Sequence, residues 1–190
     1  MKSVLISIRP KWCELIASGQ KTVEIRKTKP KLETPFKVYI YCTLPPKEEL
    51  FMHGCIREYG HELIRLQSGE IVYDYGMRLC VDPEDRPYSQ DNFLCRKVIG
   101  EFVCDKLVWV VAHPEIFAGH PVFYKKAIAD ACVTQEEAET YSTGKGVYGW
   151  HISDLVIYDK PKELSEYGLP RPPQSWCYVK NHPTEKGGAE

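Results

Sequence analysis

Within its first 26 residues the chain changes its apolar period twice, and few architectures accept that. Val4, Ile6 and Ile8 recur at every second position, as in a half-buried strand. Pro10 then suits the first helical position, where its missing N–H costs nothing, and Trp12, Leu15 and Ile16 fall on one helical face. Gly19 is placed to end that helix in a left-handed cap, so a short helix is predicted over 10–18. After Gly19 the period returns to two. Thr22, Glu24 and Arg26 lie on one face of a second strand, with Val23 and Ile25 on the other. Strand, helix and strand in such short order require a mixed α+β fold.

The rest of the chain extends this reading. FKVYIYCT (36–43) reads as a strand, and RKVIGEFVCDKLVWVV (96–111) as a long strand or bent pair with Gly100 at a bulge or bend. PVFYKKAIADAC (121–132) has helical composition, and Thr134-x-x-Glu137 is a capping box opening another short helix. YGWHISDLVIYDKP (148–161) and QSWCYVK (174–180) supply further strands. Residues 44–96, with Pro45-Pro46, a helix over 47–66 and a Gly/Tyr/Asp-rich stretch, read as an insertion between core strands. The expectation is a single domain over 1–180, a small mixed β-barrel with a few short helices, followed by a disordered tail at 181–190.

Composition excludes some classes. A chain that is 43% hydrophobic and 27% charged is that of a folded, soluble protein, and no apolar run approaches the ~20 residues of a membrane span. The N-terminus has too short an apolar stretch before Arg9 for a secretory signal, so a cytoplasmic protein is expected. The eight cysteines lack any CxxC pair and read as free buried thiols. The rival is a zinc site from His53, Cys55, His61, Cys80 and Cys95, whose spacing lacks the close ligand pairs of structural zinc sites. No metal or cofactor is therefore expected. Net charge is −1, but residues 1–37 hold nine Lys/Arg against three acids, which points to a local anion-binding face or to a solvated charged edge.

Several chemistries have no signature here. GxxxxGK[ST], HExxH and GxSxG are all missing. A Ser175–His151–Asp154 triad can be drawn, yet nothing in the sequence makes Ser175 a nucleophile.

One pattern is specific. ISIRPKWCELIASGQKTVEIRKTKPK resembles the start of the ASCH-domain family, among the PUA-like β-barrels: a strand, an Arg-Pro-x-Trp helix entry, then Gly-x-Lys-Thr-x-Glu-x-Arg. VYIYCT, KVIGEFVCD, YGWHISDLVIYDKPKELSEY and RPPQSWCYV continue the resemblance, the last two as in a subgroup carried by bacteria and phages. The resemblance implies a PUA-like barrel with a cleft beside the first helix and the Lys-Thr-x-Glu-x-Arg strand. It also implies binding of RNA, of other single-stranded nucleic acid or of a modified nucleotide.

The residue types suit that expectation. Arg9, Lys21 and Arg26 supply positive charge for phosphate, arginine in bidentate geometry. Trp12 or Trp150 can stack a base, Glu24 can accept from an exocyclic amine, and Thr22 can donate or accept. Ser175 completes the set of candidate ligand contacts. Alternatively, Glu24 and Arg26 simply pair with each other, and Trp12 and Trp150 belong to the core.

One branch of the family hydrolyses N4-acetylcytidine. There a lysine matches Lys21, but a threonine nucleophile stands where this chain has Glu24. The branch also uses a glutamate before a later helix, for which Asp130, Glu136 and Glu137 are candidates here. The resemblance therefore leaves a hydrolase with Lys21 and Glu24 as catalytic residues as the alternative to a binding module. In it Glu24 acts as general base on water, and Lys21 or Arg26 stabilises an oxyanion.

Overall fold

The computed structural model describes residues 2–43, 62–65, 67, 71–74, 95–112 and 122–181. The strands are β1 (Lys2–Ile8), β2 (Val23–Arg26), β3 (Phe36–Cys42), β4 (Glu62–Arg65), β5 (Ile71–Asp74), β6 (Val98–Ala112), β7 (Val122–Phe123), β8 (Val147–Lys162) and β9 (Trp176–Lys180). The helices are α1 (Pro10–Ala17), α2 (Lys125–Asp130) and α3 (Gln135–Ser142), with a 3-10 turn at Leu164–Tyr167. The fold is α+β. Its main sheet runs β2-β8-β6-β3-β1-β9, with β7 on β6, while β4 and β5 form a separate pair.

The local signals at the N-terminus are realised. Pro10 opens α1, and Gly19, at φ +78°, donates its N–H to the Ile16 carbonyl and turns the chain out of the helix. Lys21 N–H then bonds the Leu15 carbonyl at 2.8 Å, which sets β2 directly beneath the helix. The Thr134–Glu137 capping box also forms, with both reciprocal hydrogen bonds present.

β1 departs from expectation. It is buried on both faces, because β3 pairs with it in parallel, β9 pairs antiparallel, and separate clusters cover the two sides. Val4, Ile6 and Ile8 pack with Cys13 and Ile16 of α1, whereas Leu5 packs with Tyr39, Tyr41, Tyr158 and Tyr167 on the other face. Alternation fails as a guide when a second layer covers what would otherwise be the solvent side.

β6 and β8 form the long spine. Four register shifts along their pairing let both strands bend across the sheet. Gly100 permits one close approach: a Cβ there would lie 2.3 Å from the Val156 carbonyl oxygen. The helix expected at 121–132 is shorter, because Val122 and Phe123 pair with β6 before α2 begins. The helix expected at 47–66 falls mostly outside the described residues, and its last residues, Glu62–Arg65, are the strand β4. The tail at 182–190 and the zinc candidates His53, Cys55, His61 and Cys80 also lie outside the described residues, whereas Cys95 is a buried free thiol.

The sheet does not close into a barrel. Among the described residues its end strands β2 and β9 share no ladder. Pro172 and Pro173, just before β9, have no N–H to extend pairing, and both line an open cleft. A side chain spans the gap instead: Arg26 Nη2 donates to the Ser7 carbonyl oxygen at 2.7 Å. No helix among the described residues is long and apolar enough to cross a membrane.

Candidate functional site

The cleft has a volume of about 470 Å³, within the roughly 300–1,000 Å³ of small-ligand sites. β1 contributes Ser7 and Ile8, the helix entry Arg9 and Trp12, and β2 with its approach Lys21, Glu24, Ile25 and Arg26. Val133, Glu137 and Tyr141 come from α3 and its approach, and Pro172–Gln174 from the segment before β9.

At its floor lies a buried charge triad. Glu24 Oε1 is 3.0 Å from Arg26 Nη2, and Glu24 Oε2 is 3.5 Å from Lys21 Nζ. Lys21, only 2% exposed, donates to the Ala131 carbonyl oxygen at 2.6 Å, and its ammonium stands 4.8 Å from the Trp12 ring centre. Burial lowers the Lys21 pKa from its ordinary value, opposed by the charge of Glu24. The period-two alternation of β2 places Glu24 and Arg26 on the cleft side, and the turn after α1 delivers Lys21 to the same place.

Two polar atoms of this triad have no hydrogen-bond partner. Arg26 Nε and Glu24 Oε2 are both buried; Nε is an unspent donor, whereas Oε2 is met only by the Lys21 ammonium at 3.5 Å. Such atoms cost stability unless something meets them, so they mark the floor as suited to a ligand with complementary groups.

The structure sorts the eight sequence candidates. Arg9, Trp12, Lys21, Glu24 and Arg26 converge on the cleft. Trp150 does not: it is fully buried, edge-on to Phe36 at 5.7 Å and beside Trp176 at 5.9 Å, so it belongs to the core and cannot stack an incoming base. Thr22 is not among the lining residues, and its main chain is spent on Asp130 and Ile152. Ser175 likewise lies outside the lining and accepts from Ser7 N–H through its carbonyl. His151 pairs through Nδ1 with Asp105 at 2.6 Å, not within the triad drawn from sequence.

Of the acids weighed for the later position, Glu137 alone lines the cleft, and its Oε2 accepts from Thr134 N–H in the capping box. Sequence reading missed Tyr141, although it stands four residues after Glu137 and so shares its face of α3.

The fold and this cleft define an α+β domain whose ASCH structural neighbours are PUA-like. The resemblance to the ASCH-domain family is borne out: the family model for the ASCH domain matches residues 6–72. That match runs past residue 44, where an insertion was expected to begin. The fold is similar to the crystal structure of ASCH from Zymomonas mobilis, at 17% identity and a TM-score of 0.53, covering 94% of this chain and 87% of that one. Two point-mutant forms of that protein align comparably, each at 16% identity and a TM-score of 0.54, covering 95% and 94% of this chain and 91% and 88% of theirs. None of the curated protein sequences compared matches the chain. ASCH domains are PUA-like and associated with RNA binding.

Proposed function

We propose that this domain binds single-stranded RNA or a modified nucleotide in the cleft between α1, β2 and α3. The observation that carries the reading is the buried Lys21–Glu24–Arg26 floor, with an unspent donor at Arg26 Nε and Glu24 Oε2 in ion-pair contact with Lys21. Arg26 Nε can donate to a base or phosphate oxygen, and Glu24 Oε2 can accept from an exocyclic amine. Trp12 borders the same space and offers a ring for stacking. Arg9, exposed at the rim, adds charge where a phosphate would enter.

Titration of the four ribonucleoside 5′-monophosphates and short oligoribonucleotides at low salt tests this. Binding weakens as salt rises, since phosphate contacts release counterions, and Arg26→Ala and Lys21→Ala weaken it more than substitutions in 44–96. Absence of binding by every probe at low salt overturns it.

A second reading, hydrolysis of an acylated nucleoside, is favoured by one observation. Burial lowers the pKa of Lys21 inside the cleft against the opposing charge of Glu24, the environment in which a lysine takes part in proton transfer. Glu24 would take a proton from water as it adds to the acyl carbonyl, with Arg26 or Lys21 facing the oxyanion. Assays of N4-acylcytidines with wild type and Glu24→Gln decide it: background turnover in both removes the reading.

A further inference from the structure

The cleft does not end at Arg26. Arg26 stands opposite Tyr148 in the β2–β8 pairing, and Tyr148 stands opposite Trp109 in the β8–β6 pairing. Directly paired residues share a face, so these three side chains form one row across the sheet on the side the cleft occupies. Tyr148 and Trp109 stack with ring centres 4.4 Å apart and planes at 28°, and both remain partly exposed.

One lysine stands over this row, and a second flanks the cleft on the other face of β2. Lys29 Nζ lies 5.4 Å from the Tyr148 ring centre. Lys27 Nζ lies 5.1 Å from the ring of Tyr141, which itself lines the cleft, and donates to Thr143 Oγ1 at 3.3 Å. Both lysines are exposed on residues 27–31, a stretch tied to the C-terminal strand: Trp176 Nε1 donates to Thr28 Oγ1 at 3.0 Å, and Lys31 N–H donates to Tyr178 Oη at 2.7 Å. Lys29 is therefore presented from a segment anchored on both sides of it.

We infer that Lys29, Tyr148 and Trp109 form a track leading out of the cleft, which holds the nucleotide flanking the one bound at Arg26. The inference rests on the nucleotide-binding reading of the cleft and adds the polymer: the occupant is single-stranded RNA, not a free nucleotide. Charge and ring surface alternate here as single-strand recognition requires, with cations for successive phosphates and a ring for the base between them. Aromatic surface beside a lysine fits no duplex, whose bases are hidden within the helix.

The test compares the four ribonucleoside 5′-monophosphates with a random-sequence octaribonucleotide, in wild type, Trp109→Ala, Trp109→Phe and Lys29→Gln. Wild type binds the octamer more than tenfold tighter than the best mononucleotide. Trp109→Ala loses about tenfold of the octamer affinity, and Trp109→Phe restores most of it. Lys29→Gln loses octamer affinity and reduces the salt slope by roughly 0.7, the share of one phosphate contact on a single strand. Mononucleotide affinity is the same in all four proteins. The variants carry the decision, because an octamer also gains from offering several registers. If octamer and mononucleotide bind wild type equally, or the variants leave the octamer gain intact, or they weaken both probes in parallel, the track is overturned and the cleft reading stands. If no probe binds wild type, the cleft reading and the track fall together.

Discussion

Arg26 Nη2 lies 2.7 Å from the Ser7 carbonyl oxygen and 3.0 Å from Glu24 Oε1. One guanidinium thus bridges the open margin of the sheet and neutralises the acid at the floor of the cleft. Removing one partner from a buried ion pair strands the other, at about 3–5 kcal/mol. Arg26→Ala should accordingly lower the unfolding free energy by about 3 kcal/mol in urea titration, while Arg26→Lys, which keeps the charge, recovers part of the loss.

Lys21 makes stability depend on pH in the alkaline range. Its folded pKa is lowered by burial, so between that value and 10.5 only the unfolded chain keeps the proton. There the unfolded state binds more protons, and stability rises with pH. At lower pH the ammonium is charged in both states and its burial penalty stands in full. Parallel urea melts from pH 7 to pH 10 should show wild type gaining stability relative to Lys21→Met as pH rises. A constant difference between the two would remove this account.

Trp12 and Trp150 should separate cleanly. Trp150→Ala empties a fully buried site and is expected to cost about 3–5 kcal/mol in denaturant unfolding. Trp12→Ala should instead cost nucleotide affinity about tenfold, the scale of one lost stacking contact, read by calorimetric titration.

Gly100→Ala tests the spine. The added methyl meets the Val156 carbonyl oxygen at 2.3 Å, a backbone atom that cannot rotate away. β6 and β8 must separate locally, and a cost of about 1–3 kcal/mol is expected in thermal or urea unfolding.

What could be read from the sequence follows the range of the interactions. β1, α1 and β2 were legible because their apolar period and the Pro10 and Gly19 punctuation act within a few residues. Lys21, Glu24 and Arg26 were legible for the same reason, since alternation on one strand and one helix end place them together. Trp150 was not, because whether a strand tryptophan faces core or cleft depends on Phe36 and Trp176, which arrive from distant parts of the chain. The open sheet was equally hidden. Pro172-Pro173 is visible in the sequence, but that it stands where a ladder would otherwise close depends on long-range pairing.

β1 lies between β3 and β9, with Lys2 paired to Lys180 and Ser3 to Val179. The first strand of the sheet therefore waits for the last before its second edge is covered. Until then a buried, hydrophobic strand presents unpaired backbone to its surroundings, the kind of exposure that draws chaperones or invites aggregation. Slow, late completion is the kinetic consequence of knitting both ends of the domain side by side.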